Sequence, residues 1–557
     1  MPRFSIITPV YETPADVLRK MLLSVRGQSF GDWELCLADD ASQGPHVREI
    51  LEQAAAGDPR IRVEHSGKNE GIVGASNRAL AMAGGEFIAL LDHDDALHPD
   101  ALAHVAEAID RSPEVDYLYT DEDKIDRRGM HSGFFFKPDW SPERMRTQMY
   151  TCHFSVFRRS LVEEIGGFDP EFEGSQDWDL VLKVTERARQ VVHVPRILYH
   201  WRTLETSAAG GGEAAKPYAF EAGKRAVQAH CDRIGLPAEV ERDPEDPGVL
   251  HLQPRLREQP LVSIVIPTAG QRREVRFEEV VLVENCVRSI VERSSYENYE
   301  IVLVYGEAAP PEVLERLCEI AGERLRLVPY EGAFNFSKKI NLGAVHSRGE
   351  QLLLLNDDIE VRTDDWIERM VMYAGLDGVG VVGGRLLWGD GRLQHVGIGF
   401  DGGLPGHPYR GFHEDYRGYA NAVVIARNCL GVTAACLMTP KQTFEEVGGL
   451  AMALPVNFND VDFCLKVHVR GQRIVYDPDL VMYHYESSSR DPEVREWEVH
   501  QLEDRWAAIA AVDPYGNPSL RYGLPRIPSY VSWAKRRPKP MLRRQRLRLG
   551  PLLRSAG

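Results

Sequence analysis

The 557-residue chain holds no C-x-x-C pair; its eight cysteines (36, 152, 231, 286, 318, 429, 436 and 464) are scattered singly. That excludes a disulfide scaffold, and the thiols read as reduced core residues of a cytosolic protein. No stretch approaches the roughly 18 uninterrupted apolar residues of a membrane span, so no transmembrane helix is expected. The apolar run within Met1 to Pro9 is too short for a secretory signal, and the expected location is cytoplasmic. Basic residues are in deficit, with 66 Lys and Arg against 83 Asp and Glu and a formal net charge of −17. A general nucleic-acid binder presents a basic surface, so no nucleic-acid partner is expected. With 43% hydrophobic and 27% charged residues, the composition also excludes a collagen-like or intrinsically disordered chain.

One segment breaks the charge pattern. From Lys535 onward there are nine Lys and Arg residues and no acid, interleaved with Leu542, Leu547 and Leu549. It reads either as a solvated end or as a peripheral contact with anionic lipid at the inner face of the plasma membrane.

The length exceeds what one hydrophobic core supports, and a long internal repeat shows how it divides. Phe4-Ser-Ile-Ile-Thr-Pro9 recurs as Val262-Ser-Ile-Val-Ile-Pro267, and Gly85-Glu86 before Phe87-Ile-Ala-Leu-Leu-Asp-His-Asp94 recurs as Gly349-Glu350 before Gln351-Leu-Leu-Leu-Leu-Asn-Asp-Asp358. Ile165-Gly-Gly-Phe168, Gln176-Asp-Trp-Asp179 and Tyr199-His200 return as Val447-Gly-Gly-Leu450, Asn459-Asp-Val-Asp462 and Tyr483-His484. A period this long means two copies of a domain. The expected division is 1–235 for the first domain, 236–259 for a Pro- and acid-rich linker, 260–500 for the second, and 501–557 for a C-terminal helix and basic tail.

Ser5-Ile-Ile, Glu34-Leu-Cys-Leu-Ala and Phe87-Ile-Ala-Leu-Leu lack in-and-out alternation, the pattern of strands buried on both faces of a parallel sheet. Amphipathic stretches at 17–26 and 75–83 read as the intervening helices. The fold class is therefore α/β, with ligands expected beyond the carboxyl ends of the strands. Acids stand at two such ends: Asp39-Asp40 and Asp92-His-Asp-Asp95. Asp92 and Asp94 project to one side of an extended segment, and two carboxylates facing one way suit a hard cation, Mg²⁺ or Mn²⁺. Turn chemistry is the bland alternative; the recurrence as Asn356-Asp-Asp358 after a second apolar strand favours the cation.

With Thr8-Pro-Val-Tyr-Glu12, Asn69-Glu-Gly-Ile-Val-Gly-Ala-Ser-Asn77 and Ser175-Gln-Asp177, these motifs together resemble the inverting family-2 glycosyltransferases of the GT-A fold. The tandem arrangement is similar to bacterial enzymes of cell-surface polysaccharide assembly. The resemblance implies two Rossmann-like GT-A domains that move sugar from a UDP- or dTDP-type donor onto a saccharide or lipid-linked saccharide acceptor. It implies donor binding by Pro9, Tyr11, Glu12, Asp39, Asn69, Asn77 and Asp92, metal ligation by Asp94 and His200, and a catalytic base at Asp177. In the second copy the matching positions are Pro267, Asn341 and Asn356 for the donor, Asp358 and His484 for metal, and Asp460 for the base.

The second copy departs at the base-binding acid, where Tyr305 stands for Asp39, and in its weakened N-x-D. An active second site with altered donor recognition is expected, against a degenerate or regulatory domain. Two other classes compete for the whole chain. A nucleotidyltransferase needs a Gly-rich, basic loop after the first strand, and Thr8-Pro-Val-Tyr-Glu12 is neither. A non-catalytic carbohydrate-binding or scaffold protein requires every strand-end acid to be structural.

Overall fold

The structure is a computed structural model that describes residues 1–203, 217–275, 278–485 and 494–526. Two compact units emerge. One comprises Met1–Trp140, Met145–Gly235 and Val240–Leu250; the other comprises Ser141–Arg144, Leu236–Glu239 and the described residues from His251 onward.

The first unit is built on nine strands: β1 (Phe4–Val10), β2 (Trp33–Asp39), β3 (Ile61–His65), β4 (Phe87–Leu90), β5 (Ala96–Leu97), β6 (Val115–Ile125), β7 (His131–Phe135), β8 (Ser155–Arg158) and β9 (Gln190–Arg202). Their order in the sheet is β3-β2-β1-β4-β8-β6-β9-β5, with β7 on β6. The first four strands are parallel, as apolar runs without alternation predict. Phe4, Ile6, Leu35 and Leu37 pack with Leu18, Met21, Leu22 and Val25 of helix Ala15–Arg26 and with Val47, Ile50 and Leu51 of helix Pro45–Gly57. The i, i+3, i+4 spacing of those helical residues is what lets one helix face close over the sheet.

The second unit repeats this order with its own strands: Leu325–Tyr330, Tyr299–Gly306, Val262–Thr268, Gln351–Leu355, Cys436–Pro440, Val379–Leu387, Arg473–His484 and Ile359–Val361. The duplication reaches single contacts. Ser5 Oγ donates to Glu34 at 2.6 Å and accepts from the Gly85 amide at 2.7 Å; Ser263 Oγ donates to Glu300 at 2.7 Å and accepts from the Gly349 amide at 2.8 Å. A Cβ on Gly85 or Gly349 would stand 2.7–2.8 Å from the serine amide, so the repeated Gly-Glu records a close backbone approach.

Two expected boundaries need correction. Residues 236–259, read as a linker, carry strands Ala238–Arg242 and Leu250–Pro254, paired as a two-stranded sheet. A division at residue 500 cuts through helix Glu496–Ala510, whose Leu502 and Ala510 pack with Ile398, Val461 and Leu465. Trp506 Nε1 donates to Asp462 Oδ1 at 2.9 Å and Arg505 pairs with the same carboxylate at 2.7 Å, so this helix belongs to the second unit. The basic tail lies outside the described residues. Among the described residues no helix is long and apolar enough to cross a membrane.

Candidate active site

Parallel pairing sets the carboxyl edge of the first sheet. Pro9 stands opposite Ala38, Val10 opposite Asp39, and Asp39 opposite His65. Asp39 is buried, with Oδ2 2.8 Å from His65 Nδ1 and Oδ1 accepting the Ser42 amide at 3.1 Å. Glu12 knits the adjoining loops: its carboxylate accepts the Gln43 amide at 2.6 Å, and its amide donates to Ser42 Oγ at 3.0 Å. Tyr11 is exposed beside it. His65 carried no motif and was not anticipated; its only signal is its place at a strand end next to β2.

The helix entry behaves differently from expectation. Asp40 accepts the amides of Glu70 and Gly71 at 2.8 and 3.0 Å, and Glu173 accepts those of Ile72 and Val73 at 2.9 and 3.1 Å. Two carboxylates thus complete the start of helix Gly71–Met82, whose first amides have no intrahelical partner. Asn69 Oδ1 also accepts from the Gly71 amide, at 3.2 Å. Asn77 directs its amide at Phe168: Nδ2 donates to the carbonyl at 2.8 Å and Oδ1 accepts the backbone N–H at 3.0 Å. Both polar ends are engaged in the fold, so the structure gives Asn77 a packing role where donor contact was expected.

The D-x-D segment is held by its backbone. The Asp92 amide donates to the Tyr199 hydroxyl at 3.3 Å, and Arg202 Nε donates to the Asp94 carbonyl at 2.8 Å. Asp95 anchors the turn, accepting the Tyr199 hydroxyl at 2.5 Å and the Arg202 amide at 2.6 Å. Burial, then the charges of Asp92 and Asp94, push the Asp95 carboxyl well above the usual range. The Asp94 carboxylate makes no side-chain hydrogen bond among the described residues. Ala96 pairs with His200 across β5 and β9, which sets that imidazole two residues past Asp94. His200, Asp123 and His131 bring ligand atoms within 4.8 Å of one another.

Asp177 begins helix Gln176–Thr185, which is fixed by Trp178 Nε1 donating to the Met145 carbonyl at 2.8 Å. One Asp177 oxygen accepts the Trp178 amide at 2.9 Å. Burial pushes its carboxyl up, the charge of His153 pulls it back, and Asp92 adds a push. Asp177 and the D-x-D therefore share one electrostatic neighbourhood. His153 joins them without having been anticipated. Burial works against its charge, but Glu122, 3.1 Å from its Nδ1, with Asp92 and Asp95 raises it to about 9. A second group of ligand-type residues, Glu122, Cys152 and His153, is committed elsewhere. Lys137 sits 3.1 Å from Glu122, and burial pushes the Cys152 thiol up.

The second unit assembles the same positions with different chemistry. Ile359 pairs with His484, and His484 Nε2 lies 3.2 Å from Asp358 Oδ1 and 3.3 Å from Asn356 Nδ2. The three positions expected from the N-x-D and the late histidine are thus together. Asp460 Oδ1 accepts the Val461 amide at 2.9 Å, as Asp177 does from Trp178, and its Oδ2 accepts the Ala434 amide at 3.3 Å. Asn341 repeats Asn77: it donates to the Leu450 carbonyl and accepts the Leu450 amide, each at 2.9 Å, and it too is a packing residue. Pro267 pairs with Val304, and Tyr305 stands between Thr268 and Pro329, so the Asp39–His65 pair is replaced on both strands. Gly306 follows in the place of Asp40. Lys339, buried beside it, donates to the Thr268 carbonyl at 2.8 Å, and burial pushes its ammonium down. Burial and the Asp358 charge raise the Asp357 carboxyl to about 7.

The family model of Glycosyl transferase family 2 matches residues 5–166 and 263–439, once in each half and over more than half of the chain. The chain belongs to glycosyl transferase family 2. Both halves carry a GT-A-like fold. The chain is 40% identical over 533 residues to the uncharacterized protein y4gI of Sinorhizobium fredii and 35% identical over 528 residues to the O-antigen biosynthesis protein RfbC of Myxococcus xanthus. Each alignment covers 93% of this chain, which spans 58% and 40% of those relatives' own lengths. Chondroitin synthase of Escherichia coli is 32% identical over 201 residues, 36% of this chain and 29% of that one. Among solved structures, S. aureus TarS 1-349 in complex with UDP-GlcNAc aligns with a TM-score of 0.35 and 22% identity, covering 41% of this chain and 66% of that chain.

Proposed function

We propose that this family 2 glycosyltransferase moves a sugar, with inversion, from a UDP- or dTDP-type nucleotide diphosphate donor to a saccharide or lipid-linked saccharide of a cell-surface polysaccharide. The observation that carries the reading is Asp177 at the start of helix Gln176–Thr185, its carboxyl raised by burial and by the charge of Asp92. Direct displacement needs one base and a stabilised leaving group; a carboxylate raised by burial suits the first need. Asp177 would take the proton from the attacking hydroxyl, while the amide of Trp178 holds its other oxygen in place. Asp39, steadied by His65, would accept from the nucleoside, and Glu12 would keep the loop after β1 against that pocket.

A divalent cation, when bound, neutralises charge on the departing diphosphate. Asp92, Asp94 and His200 would hold it in the first half, and Asp358 and His484 with Asn356 in the second. Carboxylate oxygens with one imidazole nitrogen suit Mn²⁺ well, and Mg²⁺ through the oxygens. The second half is read as active toward a different donor. The retained Asp460, Asp358 and His484 support that reading, while Tyr305, Gly306 and Lys339 exchange an acidic nucleoside corner for an aromatic and basic one. The relative named for O-antigen biosynthesis supports the surface-glycan acceptor.

The test is turnover of a panel of nucleotide sugars by the full chain, with and without Mn²⁺ or Mg²⁺, followed by the Asp94→Ala and Asp358→Ala variants separately. Metal-dependent release of nucleoside diphosphate, lost for one donor with each variant, supports the reading. Turnover indifferent to both substitutions overturns it.

A further inference from the structure

We infer that Asp123 is the positioning residue that turns His200 into a ligand, and that Gln394 performs the same task on His484 in the second half, so that the two halves grip a divalent cation with different strength. The inference rests on the reading of His200 and His484 as metal-holding residues and adds the groups behind them.

Asp123 and His200 are register partners on β6 and β9. The nearly buried Asp123 carboxylate places Oδ1 2.7 Å from His200 Nδ1 and Oδ2 2.7 Å from Nδ1 of His131, the first residue of β7. An ionised carboxylate only accepts, so both Nδ1 atoms carry hydrogen and both Nε2 atoms keep a lone pair. The carboxylate thereby fixes the tautomer and swing of the His200 ring, which is how an outer carboxylate strengthens an imidazole ligand.

In the second half the same work falls to an amide. Gln394, on strand Leu393–His395, places Oε1 2.7 Å from His484 Nδ1. The opposite ring nitrogen lies 3.3 Å from Asn356 Nδ2 and 3.2 Å from Asp358 Oδ1. The orienting group is anionic in the first half and neutral in the second. Outer partners of this kind change metal affinity by roughly 10- to 100-fold, so the first site is the tighter.

The experiment titrates the full chain with Mn²⁺ alone and follows free Mn²⁺ by electron paramagnetic resonance, using Asp358→Ala to isolate the first site and Asp94→Ala to isolate the second. Asp123→Asn is expected to weaken the first site about tenfold, and Gln394→Glu to tighten the second by a similar factor. His200→Ala and His484→Ala each remove the Mn²⁺ class of their own half. Should the histidine variants abolish binding while Asp123→Asn and Gln394→Glu leave both affinities unchanged, the positioning roles fall and the metal reading stands. Should the histidine variants leave Mn²⁺ binding intact, both fall. Gln394→Glu keeps the question open to refutation even where Asp123→Asn fails to fold, because a gain of affinity is not produced by damage.

Discussion

Asn77 holds both backbone groups of Phe168, donating to its carbonyl at 2.8 Å and accepting its amide at 3.0 Å. The pair ties helix Gly71–Met82 to the Gly166-Gly167-Phe168 turn, where a Cβ on Gly167 would come within 2.7 Å of Asn77 Oδ1. Asn341 and Leu450 reproduce the pair in the second half. Asn77→Ala leaves two peptide groups of a buried residue without partners, at about 1–3 kcal/mol. The expected outcome is a lower thermal midpoint with the donor KM unchanged at temperatures where the protein remains folded. A raised KM at unchanged stability would return Asn77 to the donor site.

Asp177→Asn keeps the size and the bond to the Trp178 amide but removes the basic oxygen. General base catalysis contributes about 10²- to 10⁴-fold, so kcat at the first site should fall by that factor with donor KM nearly constant. Asp460→Asn applies the same measurement to the second half. Product formation by each single variant, against the double variant, assigns turnover between the halves.

Much of this was legible in the sequence because strand-end acids and doubly buried strands leave local signatures. Asp39 and Asp92 follow apolar runs, and the second copy repeats the strand order with Tyr305 and Asn356 at those positions. The role of Asn77 was not legible, since its partner lies 91 residues away and a polar residue in a helix motif looks like a ligand until that partner is seen. His65 and His153 were silent for a related reason: a lone histidine has no spacing to read. Asp39 and Glu122 give them meaning, and both contacts are long-range pairings created by the sheet. The boundary at 500 failed because Asp462 reaches Arg505 and Trp506, a tertiary link that composition does not reveal.

His65 supplies a prediction on the donor side. Its Nδ1 is 2.8 Å from Asp39 Oδ2, so removing it frees the carboxylate to turn from the nucleoside. Asp39→Ala should weaken donor binding at the first site by about 1.5–3 kcal/mol, the range for a hydrogen bond to a charged group, and His65→Ala by less. Neither substitution should change donor binding at the second site, where Tyr305 and Pro329 occupy these positions. Nucleotide binding to an Asp358→Ala background, followed by calorimetry, separates the two.

Acid stability has an identifiable source in the first half. Asp116 is almost fully buried, and burial alone would push its carboxyl up. Arg189 grips it through Nε and Nη2 at 2.9 and 2.6 Å and through its own amide at 2.9 Å, while Arg158 Nε adds a bond at 2.8 Å. Together the two arginines hold it down at about 2, against 3.8 for a free aspartate. A carboxyl depressed on folding stabilises the protein above its unfolded value and loses that contribution as pH falls toward the folded one. The difference corresponds to about 2 kcal/mol at neutral pH, vanishing between roughly pH 4 and 2. Asp116→Asn should therefore lower stability at pH 7 and flatten its decline across that acid window, whereas the wild-type chain loses stability steeply there. Urea unfolding at pH 7, 4 and 3 measures both slopes, and parallel slopes would show that the arginines do not ionise Asp116 preferentially in the folded state.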